Sequence, residues 1–348
     1  MLLLAYSSKH TMSSTILIPA LQMQATFEQI LIQKGMPTDR AYTCAEIFTQ
    51  NSVDGVYTHG VNRFPRFVEY LENGYVKPTA SPSLEHRFAA IEQWNGNLGP
   101  GPLNALFATD RVIELAKAHG IGCLGLAHTN HWMRGGTYGW KAARSGFIFM
   151  AWTNTIGNMP AWGALDPKLG NNPFVLALPY QNEAIVLDMA MSQFSFGAME
   201  QSAMKDEKLA VPGGYDAAGK LSRDPEAILE TGRSIPIGFW KGAGLSLLLD
   251  ILASVISGGA STHEVSKTKV EYGVSQVFIA IDPSSFGHAA EVEKMVQAII
   301  QDYQESTPSE EGNKISFPGE RVLATRARNL KNGVPVLQTV WDSIEALV

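Results

Sequence analysis

The chain has 348 residues, 45% of them apolar and 17% charged, with a formal net charge of −6. That length gives one large domain or two ordinary ones. The negative balance excludes a nucleic-acid partner held by bulk electrostatics and leaves room only for a local basic site that takes a small anion. The two cysteines, Cys44 and Cys123, show no CxxC spacing, which excludes a disulfide framework or a zinc cluster and fits a reducing cytoplasm.

The opening MLLLAYSSKHTMSS has a short apolar run without a basic stretch before it, so it reads as a poor signal peptide. Residues 1–14 are expected to be a disordered extension, and Met12 is an alternative start. TILIPALQMQATFEQILIQKG predicts a short strand and then a helix, with Pro19 in its first turn and Gly35 at its stop. PTDRAYTCAEIFTQNSVDG predicts a second helix capped by Thr38. YTHGVNRFPRF continues as helix, KPTASPSLE is a Pro/Ser loop and WNGNLGPGPLN a turn. A helix follows from about Leu103 to Ala118, ending at His119-Gly120. IGCLGLA, FIFMAWT, FVLALP and EAIVLDMA are short, β-rich runs bounded by turn residues. GFWKGAGLSLLLDILASVISGG is a turn and an apolar helix. Asp250 and a short apolar length make it a buried core helix rather than a membrane span, which needs roughly 20 apolar residues. VFIAID is a further strand, Glu291–Glu305 a helix, STPSEEGN a solvated linker, and two helices finish the chain. The mixture predicts an α/β (α+β) architecture with a mixed sheet.

In YTHGVNRFPRF, helical spacing puts His59, Arg63 and Arg66 near one face, although Pro65 disturbs a regular helix there. Such a stripe is either solvated surface or a device that holds and protonates a small anion. GIGCLG, Gly120–Gly125, matches a GxGxxG pattern, but a helix precedes it and a strand follows. A dinucleotide fingerprint requires the reverse, so these glycines mark a helix end and a tightly packed strand. AHTNHWMRGGTYGW holds His128, His131 and Arg134 just after a strand, where open sheets place ligands. The histidine pair lacks a third ligand, so no metal is expected, and the plainer reading of His131 is a turn histidine bonded to backbone. GNNPF, with Asn171 and Asn172, is a turn. Lys241, followed by Gly242 and Gly244 at the mouth of the apolar helix, suits a phosphate or is simply exposed. Gly319, Glu320 and Arg321 open another helix in the same way.

YTHGVNRFPRF, IEQW, NHWMRGGTYGW, WTNTIGNMPAWG, DMAMSQFSFG, GFWKGAGLSLLLD and EYGVSQVFIAI together resemble the malate/L-lactate dehydrogenase family that lacks a Rossmann fold. The resemblance runs from about Thr15 to Val348. It implies a non-Rossmann, NAD-binding mixed sheet flanked by helices, of the L-sulfolactate/malate dehydrogenase type. It also implies NAD(P)-dependent interconversion of 2-keto and 2-hydroxy acids, with NADH favoured, in a homodimer. One family unit would span 15–348, with a nucleotide-binding lobe at roughly 130–258 and a helical, dimer-forming part over 15–125 and 259–348. His59 matches the proton donor and His131 a second active-site histidine that some members use as acid or base. Ala184, Ile185, Val186, Leu187, Asp188, Met189 and Ala190 match a nucleotide-binding strand. Trp240, Lys241, Gly319, Glu320 and Arg321 match further nucleotide contacts. Arg63 is expected to grip the substrate carboxylate through its planar fork, with Asn130 and Thr155 as further substrate contacts. Neither metal, membrane nor nucleic acid is implied. A nucleotide- or sugar-acid-binding protein without turnover is the alternative from another class.

Overall fold

A computed structural model describes residues 14–348, so the extension expected over residues 1–14 lies, save for Ser14, outside the described residues. The described chain divides into two compact units, one formed by residues 14–69 with Val322–Val348, the other by Tyr70–Arg321.

In the first unit, strand β1 (Thr15–Ile18) leads through Pro19 into α1 (Ala20–Gln33), and α2 (Thr38–Val53) packs against α1. Pro37, rather than Thr38, occupies the cap position of α2, where a ring without an N–H costs nothing. The helix expected through YTHGVNRFPRF is broken. Residues Tyr57–His59 and Val61–Arg63 form two separate 3₁₀ turns, and α3 begins only at Phe64 and runs to Glu72. Gly60 sits between the turns, where a Cβ would lie 2.2 Å from Ser52 Oγ, so the break needs glycine. Pro65, second in α3, lies in the first turn, where proline is tolerated. Phe64 stacks on Phe27 at 4.0 Å and meets Phe48 edge-on at 5.3 Å, so the aromatics that flank Arg63 form the core of this unit.

The second unit is built on a mixed seven-stranded sheet. Its strands in chain order are β2 (Ser83–Phe88), β3 (Ile91–Asn95), β4 (Ile121–Thr129), β5 (Ile148–Thr153), β6 (Phe174–Tyr180), β7 (Glu183–Met189) and β8 (Val274–Ile281). Their spatial order is β2-β3-β4-β8-β5-β6-β7, with β3 and β4 parallel and every other neighbouring pair antiparallel. The helices are α4 (Gly101–His119), α5 (Gly136–Arg144), α6 (Phe196–Met204), α7 (Pro225–Thr231), α8 (Trp240–Ser257) and α9 (Ala289–Gln304). Gly122 and Gly125, three apart on β4, face opposite sides of the sheet. A Cβ at Gly122 would meet Val112 O of α4 at 2.5 Å, and one at Gly125 would meet Ile256 O of α8 at 2.5 Å. The two glycines of GIGCLG therefore let α4 and α8 press on opposite faces, and Gly120 closes α4 in a left-handed conformation.

α8 differs from the fully buried helix expected. Its sheet-facing side carries Gly242, Ser246, Leu249, Ala253 and Ser257, whereas Leu247, Leu248, Ile251, Leu252 and Val255 are exposed. Among the described residues it is the helix long and apolar enough to cross a membrane. Asp250, in its middle, accepts from Asn154 Nδ2 at 2.9 Å and from the Thr262 N–H at 2.8 Å. Helix α10 (Glu320–Asn332), strand β9 (Val334–Leu337), which pairs antiparallel with β1, and α11 (Gln338–Glu345) close the chain.

Candidate active site

In the first unit, the turn that carries His59 is held from several sides. Asn51 Nδ2 donates to His59 O at 2.9 Å, and Ser52 Oγ accepts from the Val61 N–H at 2.8 Å. Asp54 receives two bonds from Arg326, Nε to Oδ1 at 2.7 Å and the second guanidinium nitrogen to Oδ2 at 2.9 Å. Asn329 Nδ2 donates to Val53 O at 2.9 Å. Helix α10 thus anchors the segment that enters the histidine turn. His59 and Arg63 are half-buried, whereas Arg66 is exposed. His59 Nδ1 lies 3.1 Å from Thr58 Oγ1.

In the second unit, the expected residues gather around β7. The Gly136 N–H donates to Asp188 Oδ2 at 2.7 Å, which brings the loop after β4 onto that strand. A Cβ at Gly136 would lie 3.0 Å from Asp188 Oδ2 and 3.2 Å from Arg134 Nε, so the turn needs its small residue. Asp188 remains exposed to solvent, yet the protein around it desolvates the carboxyl enough to raise its pKa, against the opposing pull of Arg134 and the Gly136 N–H. Gly319, at φ +95°, seats the 318–321 turn on the same strand: Val186 N donates to Pro318 O at 3.1 Å, and a Cβ at Gly319 would approach Val186 N to 3.2 Å.

Beyond the end of β7, Met191 N donates to Asn171 O, and Ile237 N to Met191 O, both at 2.8 Å. These bonds set the 236–241 turn beside Ala190. Phe239, Trp240 and Lys241 are exposed at the start of α8, which has no side-chain cap. Aromatic faces, a cation and a helix N-terminus suit a dinucleotide's bases and phosphates. These residues therefore fit a nicotinamide cofactor, and the strand from Ala184 to Ala190 lies next to them.

The loop of Asn130 and His131 is rigid. Asn130 is 2% exposed, and its Nδ2 faces the carbonyls of Tyr75, Leu98 and Gly99 at 3.1, 2.9 and 3.0 Å. Both amide hydrogens are used and Oδ1 is buried, so this side chain clamps the loop. Thr155, 4% exposed, donates within a cluster formed by Ile156 O, Asn171 Oδ1 and Asn172 Oδ1. Asn172 in turn donates to Ser246 O of α8 at 2.9 Å. The GNN turn, which looked merely local in sequence, ties Thr155 to that helix. His131 is bonded to backbone, as its plainer reading held: its Nδ1 accepts from the Met133 N–H at 3.0 Å.

His128 takes a different place. It has φ +49° and lines a cavity of about 380 Å³ with Lys77, Asn97, Glu264 and Tyr272, and none of the expected site residues lines that cavity. No group of three or more His, Cys, Asp or Glu able to hold a metal occurs among the described residues. Burial pushes the Cys44 thiol up to about 12 and the Cys123 thiol up to about 11, so neither is a thiolate at neutral pH.

The family model described as malate/L-lactate dehydrogenase matches residues 18–345. The chain is 42% identical over 327 residues to 2,3-diketo-L-gulonate reductase of Escherichia coli strain K12, covering 94% of this chain and 98% of that one. Among solved structures, malate dehydrogenase of Entamoeba histolytica superposes with a TM-score of 0.90 at 24% identity, covering 96% of this chain and 97% of its own. Sulfolactate dehydrogenase of Methanocaldococcus jannaschii gives 0.87 at 24%, covering 95% and 96%. These last two likenesses show the fold.

Proposed function

The chain belongs to the malate/L-lactate dehydrogenase family and is an oxidoreductase of 2-hydroxy and 2-keto acids, and from that membership we propose that it reduces 2,3-diketo-L-gulonate to 3-keto-L-gulonate with NADH. The observation that carries this substrate is the 42% identity to 2,3-diketo-L-gulonate reductase over nearly the full length of both chains. The preference for NADH over NADPH rests on the resemblance.

The nicotinamide, when bound, supplies the hydride. In the proposed roles, Ala184 to Met189 of β7 with Ala190 after it, Trp240 with Lys241, and Gly319 to Arg321 bind the dinucleotide within a lobe at roughly 130–258 and the 319–321 turn. Arg63 holds the substrate carboxylate through two parallel bonds. His59 donates the proton to the carbonyl oxygen as charge develops there. Asn130 and Thr155 position the loops they clamp. The exposed Leu247, Leu248, Ile251, Leu252 and Val255 of α8, which lie outside the part over 15–125 and 259–348 expected to form the dimer, support a homodimer in which a second copy covers this stripe. The proposed location is the cytoplasm, a reading that the two free thiols support.

The test is spectrophotometric NADH consumption with 2,3-diketo-L-gulonate, oxaloacetate, pyruvate and a cyclic imino acid, repeated with NADPH. The reading expects the highest kcat/KM for the diketo sugar acid with NADH. A tenfold preference for another acid overturns the substrate, and no turnover with any of them favours a binding protein.

A further inference from the structure

The cavity of about 380 Å³ beside His128 falls within the roughly 300–1,000 Å³ of small-molecule sites. Asn95, the last residue of β3, and His128, next to last in β4, both line it. It therefore lies at the carboxyl ends of two parallel strands, where open sheets place ligands. Its frame is strained and joined by backbone bonds. Asn97, Leu98 and His128 stand at φ +52°, +55° and +49°, conformations that L side chains rarely adopt. The Leu98 N–H donates to His128 O at 2.9 Å, and the Lys77 N–H to Leu98 O at 2.8 Å. Asn97 Nδ2 donates to Ser81 O at 2.9 Å. A Cβ at Gly273 would lie 3.7 Å from Leu98 Cδ2, so the chain that leads into β8 closes against this frame. Strain gathered around one cavity is characteristic of a site whose geometry is held for binding.

The polar groups on this frame are uncommitted. Among the described residues, Lys77 Nζ, the His128 ring and Tyr272 Oη have no hydrogen-bond or ion-pair partner. The Tyr272 ring packs on Tyr75 at 5.0 Å, which fixes its place. Glu264 is half engaged: its Oε2 accepts from the Ser261 N–H at 2.8 Å and from Ser261 Oγ at 3.1 Å, and its Oε1 has no protein donor among the described residues. The Ser261 N–H above all holds this carboxyl below its ordinary range, so it is an anion at neutral pH. Lys77 is a cation there, and the two form no ion pair with each other. One cavity thus carries a positive and a negative charge that stand apart, with Leu98 and Val265 adding apolar surface. A carboxylate alone would answer Lys77 and be repelled by Glu264, and an amine alone would do the reverse. A molecule with both charges on one small skeleton answers both.

We propose that this cavity binds a small zwitterion of the α-amino-acid class, with Lys77 and the His128 ring on its carboxylate, Glu264 and Tyr272 on its ammonium, and Leu98 and Val265 against its side chain. Lys77 donates a charge-assisted bond to the carboxylate, and Glu264 Oε1 accepts one from the ammonium. The Tyr272 ring adds a cation–π contact. All of these residues belong to the second unit. None of the residues proposed for cofactor or substrate lines the cavity, so the site stands whatever acid the enzyme reduces.

The test is isothermal titration calorimetry of the full chain with L-alanine and L-leucine. Isocaproate, which is leucine without its ammonium, isoamylamine, which lacks the carboxylate, and D-gluconate, a sugar acid, are titrated beside them. We expect saturable binding of L-leucine with a Kd of about 1 mM or tighter, and binding of the three single-charge probes weaker by about tenfold or more. Lys77→Gln and Glu264→Gln are each expected to weaken L-leucine by about tenfold or more. Both variants keep the fold, because Lys77 is exposed and a glutamine still serves the Ser261 capping box. In ring ¹⁵N spectra assigned from His128→Asn, the His128 signals are expected to shift as L-leucine is added. No saturable heat with either amino acid overturns the proposal, as does unchanged affinity in both variants. Isocaproate or D-gluconate binding as tightly as L-leucine would make the cavity a plain anion site and overturn the zwitterion. Turnover of NADH plays no part in these readouts, so failure of the proposed reaction and failure of this site are told apart.

Discussion

The turn that presents His59 and the turn that presents His131 are stabilised by opposite means. Around His59 the backbone is relaxed, and side chains from α2 and α10 hold it through Asn51, Ser52, Asp54 with Arg326, and Asn329. Around His131 the backbone itself is strained, with φ +49° at His128 and +67° at Met133, and close packing of α4 keeps it so. The contrast teaches where each turn is vulnerable. The first fails when a partner side chain is lost or Gly60 grows against Ser52, and the second when Gly101 grows against the His131 carbonyl or the bonds from Asn130, Tyr138 and Gln276 are lost.

The largest expected effect breaks the first turn. Arg326→Ala removes the two guanidinium bonds from Asp54, whose side chain is 2% exposed, and leaves the carboxylate without that opposite charge while Gln50 Nε2 still donates to it, and we expect a stability loss of about 3–5 kcal/mol. Urea midpoints of wild type and variant measure it; a loss within experimental scatter would show that the pair is not what holds this region. Glycine substitutions sharpen the comparison. Gly60→Ala collides with Ser52 Oγ and Gly101→Ala with the His131 carbonyl, and each is expected to cost about 1–3 kcal/mol as an overpacked site. The Gly101 variant should also lower kcat more than the Gly60 variant, because it displaces a rigid backbone rather than a rotatable hydroxyl. Equal kinetic effects would contradict that distinction. Gly319→Ala, at φ +95° against Val186, should raise KM for NADH about fivefold, from roughly 1 kcal/mol of backbone strain, with kcat little changed.

The smallest effect concerns acid. In the second unit, the buried carboxylate of Glu92 accepts from Arg111, Trp94 and Arg87, and the Arg111 bonds above all hold its pKa down to about 2. A carboxyl with a lowered folded-state pKa contributes stability that is present above its unfolded value and is lost as pH falls toward about 2. Unfolding midpoints measured from neutral to acid pH should decline over that window, and Glu92→Gln should flatten the decline. A Gln variant with the wild-type slope would remove Glu92 from the account.

Much of this was legible in the sequence because periodicity and turn chemistry are local. The runs IGCLGLA and FVLALP lie within β4 and β6, FIFMAWT and EAIVLDMA exceed β5 and β7 by one residue each, and the GIGCLG glycines serve packing, as their setting between helix and strand implied. Strands β2 and β3 escaped. β2 is a wholly exposed edge strand, SLEHRF, without apolar alternation, and only its partner reveals it. Helix α5, GTYGWKAAR, opens on glycines that read as a turn, and only its seat on β6 and β7 makes it a helix. Sequence singled out the two histidines and Arg63 by type and spacing. It could not show that Gly60 breaks the helix between them, because that break depends on Ser52 eight residues earlier. Nor could it show that Asn130 spends its amide on three distant carbonyls, or which atom faces each imidazole. Those are tertiary facts.

The central proposal is that His59 supplies the proton. The most direct measurement is NADH oxidation with 2,3-diketo-L-gulonate by His59→Ala and His131→Asn, each folded and assayed side by side with wild type. We predict that His59→Ala loses kcat by about 10²–10⁴-fold and that His131→Asn, which keeps a neutral amide donor, loses markedly less. Near-normal turnover by folded His59→Ala, or a deeper loss in His131→Asn, would contradict it.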